Sequence, residues 1–352
     1  MGAENFGLIM AGGQGTRFWP YSTEKKPKQF LNIVGNESLI KQTFDRLKKF
    51  IKPENIFIVA DKKYLELTLK SIPGFNKNNF IEEPSPRNTA PCLILSNIVL
   101  SRKNSEGNIL VVPADHFIPD QETFAEEMTD ALSMAEKKFI LTSGIKPYIA
   151  HTGYGYIKFN RDNSSVSGNT TFFSVEEFRE KPGLKEAKAY MNAGNYFWNS
   201  GMFIYKLKYF KEFLKEYSSE YYDFYTELEK NYENKEKFKN IFNSVRPESI
   251  DYALMEKVKE VKMFGAGFEW NDVGAWLSVY ELNEKDENNN VNNRDNILID
   301  SKNSLLFSTE DKPIALLGLE NVAVINTDNG ILVASMDELQ KVKEVISKLK
   351  KK

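Results

Sequence analysis

The sequence predicts an α/β protein with a mixed, mostly parallel sheet and a small all-β piece at its C-terminal end. Three observations carry that expectation. Over the first half of the 352 residues, short apolar runs alternate with stretches of helical periodicity. At 284–296, EKDENNNVNNRDN, the composition turns abruptly to asparagine, as in a boundary loop. Beyond it come short apolar runs separated by turn residues, closed by one helical stretch. The expected division is a large α/β domain over 1–283 and a small domain over 284–352.

The elements follow in order. FGLIMA (6–11) reads as the first strand. SLIKQTFDRLKKFI (38–51) has apolar residues at helical spacing behind Ser38, an N-cap residue type. NIFIVA (55–60) is a strand, and KKYLELTLKSI (62–72) and TAPCLILSNIVLSRK (89–103) are helices. GNILVVPAD (107–115) is a strand ending in an acid, ETFAEEMTDALSMAEKK (122–138) a helix and FILTSGI (139–145) a strand. This alternation argues for parallel strands covered by helices on both faces. The charged and aromatic stretch 209–239 reads as surface helices. NILID, SLLFS, IALLGL, VAVINT and GILVAS are short β segments, and the last seventeen residues, MDELQKVKEVISKLKKK, form a helix with a solvated basic end.

Composition excludes several classes. A net charge of -2 gives no electrostatic footprint for nucleic acid or anionic membrane. The single cysteine, Cys92 in APCLIL, rules out an internal disulfide framework and a cysteine-based zinc site, and reads as a small buried hydrophobe. No basic leader with a long apolar run opens the chain, and no window reaches the length of a membrane span. A cytoplasmic protein is the expectation.

The first strand runs into Gly12, Gly13 and Gly15, followed by Thr16 and Arg17. In a parallel α/β sheet, ligands bind beyond the carboxyl ends of the strands. A glycine-rich turn there bares backbone N–H groups that can cradle a phosphate. The turn fails two familiar patterns. A P-loop needs Lys-Ser/Thr after its last glycine, and a dinucleotide fingerprint needs a glycine where Phe18 stands. Arg17 adds a cationic fork suited to phosphate oxygens, and Lys28 in PKQF is a second cation close in sequence. The plain alternative is an ordinary glycine-rich turn with a surface arginine.

AGGQGTRFWP with PKQF resembles the signature of sugar-1-phosphate nucleotidyltransferases, in the form found in mannose-1-phosphate guanylyltransferases. The resemblance continues in order through EPSPRNTAP (83–91), VVPADH (111–116), TGYGYI (152–157), FREKP (178–182), WNSGMF (198–203), SIDYALMEK (249–257) and WNDVGAW (270–276). It implies a Rossmann-like nucleotidyltransferase domain followed by a short left-handed β-helix-like domain. The implied reaction transfers GMP from GTP to mannose 1-phosphate, giving GDP-mannose and pyrophosphate by metal-assisted in-line attack on the α-phosphate. A manno-heptose or glucose 1-phosphate is the alternative acceptor, because Ala150-His151 stand where the family often shows Pro-Glu.

The resemblance assigns roles residue by residue. Ala11, Gly12, Gly13, Gly15 and Thr16 would contact the nucleotide, with Arg17 and Lys28 on the β- and γ-phosphates. Asp115 and Asp272 would hold Mg2+, or another divalent cation such as Mn2+; His116 would be a hydrogen-bonding neighbour. Asn88 and Thr89 would meet guanine, although both residue types also cap helices. Gly153, Tyr154, Glu180, Lys181 and Asn199 would bind the sugar phosphate. A homodimer through the C-terminal piece is expected. The fused cupin-type isomerase domain of longer relatives is not expected within this length. A non-catalytic homologue should lack Arg17, Lys28, Asp115 or Asp272, and all four are present.

Overall fold

A computed structural model describes residues 4–13 and 15–349. Gln14 in the opening loop and the last three lysines of the basic tail lie outside the described residues. The chain folds as two compact units. The first runs through Gly12 and takes Phe44–Ala114 and Ile118–Trp270; the second takes Gly13–Thr43, Asp115–Phe117 and the chain from Asn271 onward.

Among the described residues, the first unit is built on a nine-stranded sheet. Strands β1 (Asn5–Met10), β2 (Ile56–Asp61), β3 (Phe80–Glu83) and β4 (Asn108–Pro113) pair in parallel in the order β3-β2-β1-β4. Their centres are buried on both faces, which is why they read as unbroken apolar runs. Helices α1 (Leu39–Leu47), α2 (Leu65–Ser71), α3 (Thr89–Asn104) and α4 (Gln121–Met134) stand between or after these strands. The second half of the sheet is of a different kind. Strands β5 (Ile140–Ile145), β6 (Tyr156–Ser167), β7 (Thr170–Arg179), β8 (Tyr196–Lys206) and β9 (Val261–Gly265) extend the order as β8-β5-β9-β7-β6. Strand β8 is antiparallel to β4 and β5, while β5 and β9 are parallel. The mixed sheet expected from the sequence is therefore parallel on one side and largely antiparallel on the other.

After α5 (Leu184–Ala193), the stretch expected as surface helices forms α6 (Leu207–Tyr217), α7 (Ser219–Lys230) and α8 (Lys235–Ser244). Their aromatic face belongs to the core: Phe210, Phe213, Tyr221, Tyr225 and Phe242 are buried together with Leu93, Leu100 and Val111. Cys92 lies in the same cluster, and burial pushes its thiol well above its ordinary range.

The second unit contains α9 (Trp276–Leu282), then β10 (Val291–Asn292), β11 (Ile297–Ile299), β12 (Leu305–Ser308), β13 (Ala315–Leu317), β14 (Val322–Thr327), β15 (Gly330–Ser335) and α10 (Val342–Leu349). Three parallel pairings share one offset of 18 residues: Leu305 with Ala323, Ile297 with Ala315, and Lys302 with Glu320. A constant step on three successive segments is one coil of a β-helix, and Leu306, Leu316 and Val324 fill its inside. Leu305, Phe307, Ala323 and Ile325 pack with Phe18, Leu31, Ile33 and Trp276, so the opening loop shares a core with the C-terminal strands.

Candidate active site

Three short segments of the second unit form a charged cluster. Gly15 has φ 58°, and a Cβ there would lie 2.2 Å from Cβ of Lys28. Only glycine both adopts this left-handed turn and lets Lys28 pack against it. Lys28 is 5 % exposed. Its Nζ donates to Oδ2 of Asp115 at 2.8 Å and to the backbone carbonyl of Asp272 at 2.6 Å. Burial of Asp115 opposes its ionisation, but the charge and hydrogen bond of Lys28, helped by His116, hold the carboxyl below its ordinary range.

The segments are tied by a short ladder. Phe117 N–H donates to Asn271 O at 2.9 Å, and Asn271 N–H donates to Phe117 O at 3.0 Å. Asn271 Oδ1 accepts from the N–H of Val273 at 2.7 Å and holds that residue at φ 47°. This is a costly conformation for a β-branched side chain, and it sits one residue from Asp272. Arg17 Nη1 donates to Gly274 O at 3.3 Å. Thr16, Arg17, Lys28, Asp115, His116 and Asp272 thus line one cleft of about 270 Å³. The glycine turn, its two cations and the two acids, separated by over 250 residues, come together within this unit.

The donors suit a hard cation. Among the described residues no three His, Cys, Asp or Glu side chains are placed to hold a metal by themselves. The Asp115 carboxylate, held by the Lys28 ammonium, and Asp272, whose backbone carbonyl accepts from the same ammonium, line one cleft and fit an ion that takes one or two carboxylates and completes its shell with phosphate oxygens and water.

The remaining predicted residues lie in the first unit, apart from Gly13, which opens the second. Ala11 is buried and donates its N–H to Val59 O at 2.9 Å. Gly12 lies beside Glu83: a Cβ there would stand 3.7 Å from Glu83 Oε2. Glu83 is a residue that sequence reasoning did not single out. It ends β3, is 5 % exposed, and its Oε1 has no hydrogen-bond partner. Burial, reinforced by Asp61 and opposed by the N–H of Arg87, pushes its carboxyl up to about 7. An acid at the carboxyl end of a parallel strand was the available signal. Asn88 has φ 68° and caps α3, its Oδ1 accepting from Thr89 N–H at 2.8 Å. Thr89 Oγ1 accepts from Ile250 N–H at 2.8 Å.

A second cluster gathers Glu180, Lys181, Asn199 and Asp251. The side chain of Glu180 is only 7 % exposed and pairs with Lys181 Nζ at 2.5 Å. Lys181 itself has φ 46°. The pairing of β5 with β8 slips between Thr142 and Gly144, and Asn199 stands opposite Gly144 at the slip. Its amide is clamped: Nδ2 donates to Asp251 Oδ1 at 3.0 Å and Oδ1 accepts from Gly201 N–H at 3.1 Å. A Cβ on Gly155 would lie 2.5 Å from Glu180 Oε2, so this glycine makes room for a carboxylate. Gly153 donates its N–H to His151 Nδ1 at 3.1 Å, and His151 stacks on Tyr154 at 4.1 Å, with Trp198 and Trp270 beside Tyr154.

The SIDYALMEK motif explains itself in this cluster. Asp251 opens a π-helix, Asp251–Met255, and holds Asn199. Glu256 Oε1 accepts from Glu180 N–H at 3.0 Å. Burial, then the facing Glu180, pushes Asp251 up to about 6. Neither acid was singled out from sequence, because both act through residues far away in the chain.

The nucleotidyl transferase family model matches residues 6–289, and the mannose-phosphate isomerase/GMP-like β-helix domain model matches 294–349. The chain belongs to the nucleotidyl transferase family, whose members use a divalent metal. Among its relatives, the xanthan biosynthesis protein XanB of Xanthomonas campestris pv. campestris (strain B100) is 36 % identical over 97 % of this chain and 73 % of its own. A mannose-1-phosphate guanylyltransferase of Escherichia coli is 34 % identical over 97 % of this chain and 75 % of its own. The crystal structure of a mannose-1-phosphate geranyltransferase from Thermus thermophilus is 27 % identical, with a TM-score of 0.87 over 99 % of both chains. The family resemblance drawn from the motifs therefore holds. Among the described residues no helix is long and apolar enough to cross a membrane.

Proposed function

We propose that this chain transfers GMP from GTP to mannose 1-phosphate, releasing pyrophosphate and GDP-mannose. The observation that carries the reading is the cleft in which Arg17, Lys28, Asp115 and Asp272 meet. Relatives that carry the name mannose-1-phosphate guanylyltransferase over nearly the whole chain support the substrate pair.

In the reaction, a phosphate oxygen of the sugar 1-phosphate attacks the α-phosphorus. The bond from that phosphorus to the oxygen bridging toward the β-phosphate breaks, and its electron pair leaves with pyrophosphate. Positioning and charge neutralisation are the main demands. Arg17 and Lys28 neutralise the β- and γ-phosphates, and the N–H groups of Gly12, Gly13, Gly15 and Thr16, with Ala11 at the strand end, contact the nucleotide. Asp115 and Asp272 would hold a magnesium ion, or manganese in its place, which when bound would supply Lewis-acid neutralisation of phosphate oxygens.

Asn88 and Thr89 remain guanine-side residues in this reading, through main-chain atoms, since their side chains cap and tie α3. The unpaired Oε1 of Glu83 suits the N–H-rich edge of guanine. Glu180 and Asn199 accept and donate to sugar hydroxyls, Lys181 meets the sugar phosphate, and Gly153 and Tyr154 form the adjoining wall. The same reading keeps the domain division at 283/284, a cytoplasmic location, and a homodimer. Exposed Ile297, Ile299 and Leu317 on the outer face of the coil support the dimer.

Pyrophosphate release across a matrix of nucleoside triphosphates and sugar phosphates tests the reading. GTP with mannose 1-phosphate is expected to give the highest kcat/KM. Equal efficiency with glucose 1-phosphate or a manno-heptose 1-phosphate replaces the sugar assignment, and no release with GTP removes the activity.

A further inference from the structure

We infer that Lys343, on the closing helix α10, is a third phosphate-binding cation of the cleft, so that α10 is part of the nucleotide site. The inference rests on the proposed use of the cleft for a triphosphate. Lys343 lines the same cleft as Arg17, Lys28, Asp115 and Asp272. Its side chain is exposed, and among the described residues it takes part in no ion pair. The other cations are already engaged. Lys28 is held by Asp115 and the carbonyl of Asp272, and Arg17 by the carbonyl of Gly274. A triphosphate entering beside two carboxylates needs further positive charge, and Lys343 supplies it without giving up an existing contact.

The position of α10 is built rather than incidental. Val342 is buried in the core that also holds Phe18, Trp276 and Leu305. On the other side of the loop, Ile346 and Leu349 line an apolar cavity of about 250 Å³ with Thr16, Trp19 and Thr23. The helix therefore grips the turn Thr16–Phe18 from a buried anchor, and residue 343 is the one it delivers to the cleft. A solvated basic tail has no reason to be anchored in this way.

The test compares Lys343→Met, Lys343→Arg and, as a control on the same helix, Lys348→Met. Isothermal calorimetry with inorganic pyrophosphate and magnesium reads the phosphate site without the sugar. Lys343→Met is expected to weaken pyrophosphate binding and raise KM for GTP by about tenfold each. KM for the sugar phosphate and the melting temperature stay at wild-type values. Lys343→Arg keeps binding within about threefold, and Lys348→Met changes nothing. Wild-type pyrophosphate affinity in Lys343→Met overturns the inference, as does failure of Lys343→Arg to rescue. If Lys343→Met loses melting temperature, the arginine variant's affinity decides. A wild type that binds pyrophosphate yet releases none from GTP and mannose 1-phosphate sinks the proposed activity and leaves this inference standing.

Discussion

The two charged clusters of this chain solve opposite problems. Around Lys28 the groups sit on turns: a glycine at φ 58°, a 3-10 turn, and a bend held by Asn271. The ions are opposite in sign, paired, and partly open to water, with the Asp115 side chain 35 % exposed. Around Asn199 the groups sit on strand β8, in the bend that follows β7 and on a π-helix, and two acids face each other. The carboxyl of Asp115 lies below its ordinary range, whereas that of Asp251 lies above. In the proposed reading, a polyanion is met by long cations that can be released from carboxylates. In the same reading, the hydroxyls of the sugar phosphate are met by acceptors fixed before it arrives. The difference is visible in what each glycine makes room for: Gly15 for a lysine stem, Gly155 for a carboxylate.

The largest expected effect is at Arg17. Losing a well-placed electrostatic donor costs on the order of 3 kcal/mol in the transition state. Arg17→Ala should therefore lower kcat by about two orders of magnitude while melting at the wild-type temperature. An unaltered turnover would show that the turn cluster does not neutralise the leaving group. A matched pair sharpens the contrast. Gly15→Ala forces a Cβ to 2.2 Å from the Lys28 stem; Gly155→Ala forces one to 2.5 Å from Glu180 Oε2. The first should cut kcat/KM for GTP by more than about tenfold, and the second should raise KM for the sugar phosphate by about tenfold, leaving KM for GTP in place. Steady-state kinetics with each substrate varied in turn checks both, and an exchange of the two phenotypes breaks the division of labour.

How much of this was legible depended on the range of the cause. Strands β1 to β4 could be read because burial on both faces leaves unbroken apolar runs such as ILVVP. Strands β6 and β7 could not, because β6 is exposed from Arg161 to Ser164 and β7 carries the exposed pair Glu176 and Glu177, which interrupt the apolar signal. Arg17, Lys28, Asp115 and Asp272 were legible by residue type and order. Their meeting depends on the ladder between Phe117 and Asn271, a pairing that no local pattern encodes. Asn88 could be read as a cap or as a base contact, and only the bond from Thr89 N–H to its Oδ1 reveals the cap. Glu83 and Asp251 escaped notice because a buried acid looks like any other acid until its surroundings are assembled.

The smallest effect concerns Asp251 and follows from the sign of its shift. Burial and the facing Glu180 raise its carboxyl from 3.8 to about 6, against the weaker pull of Lys181 and Ser249. The folded chain thus holds a proton that the unfolded chain releases between these values. Its contribution is fully present below about pH 4 and is lost as pH rises through about 6. Asp251→Asn keeps an acceptor for the amide of Asn199 and never ionises. Discounted for partial contact with water, the variant should gain roughly 1–2 kcal/mol over wild type above pH 7, shrinking toward zero near pH 4. Urea midpoints of the two proteins across this range measure the difference. The turn cluster should show no such gain on neutralising an acid, because there the acid is already paired with Lys28. A pH-independent difference for Asp251→Asn would mean that Lys181 compensates the charge and that both clusters are ion pairs of one kind.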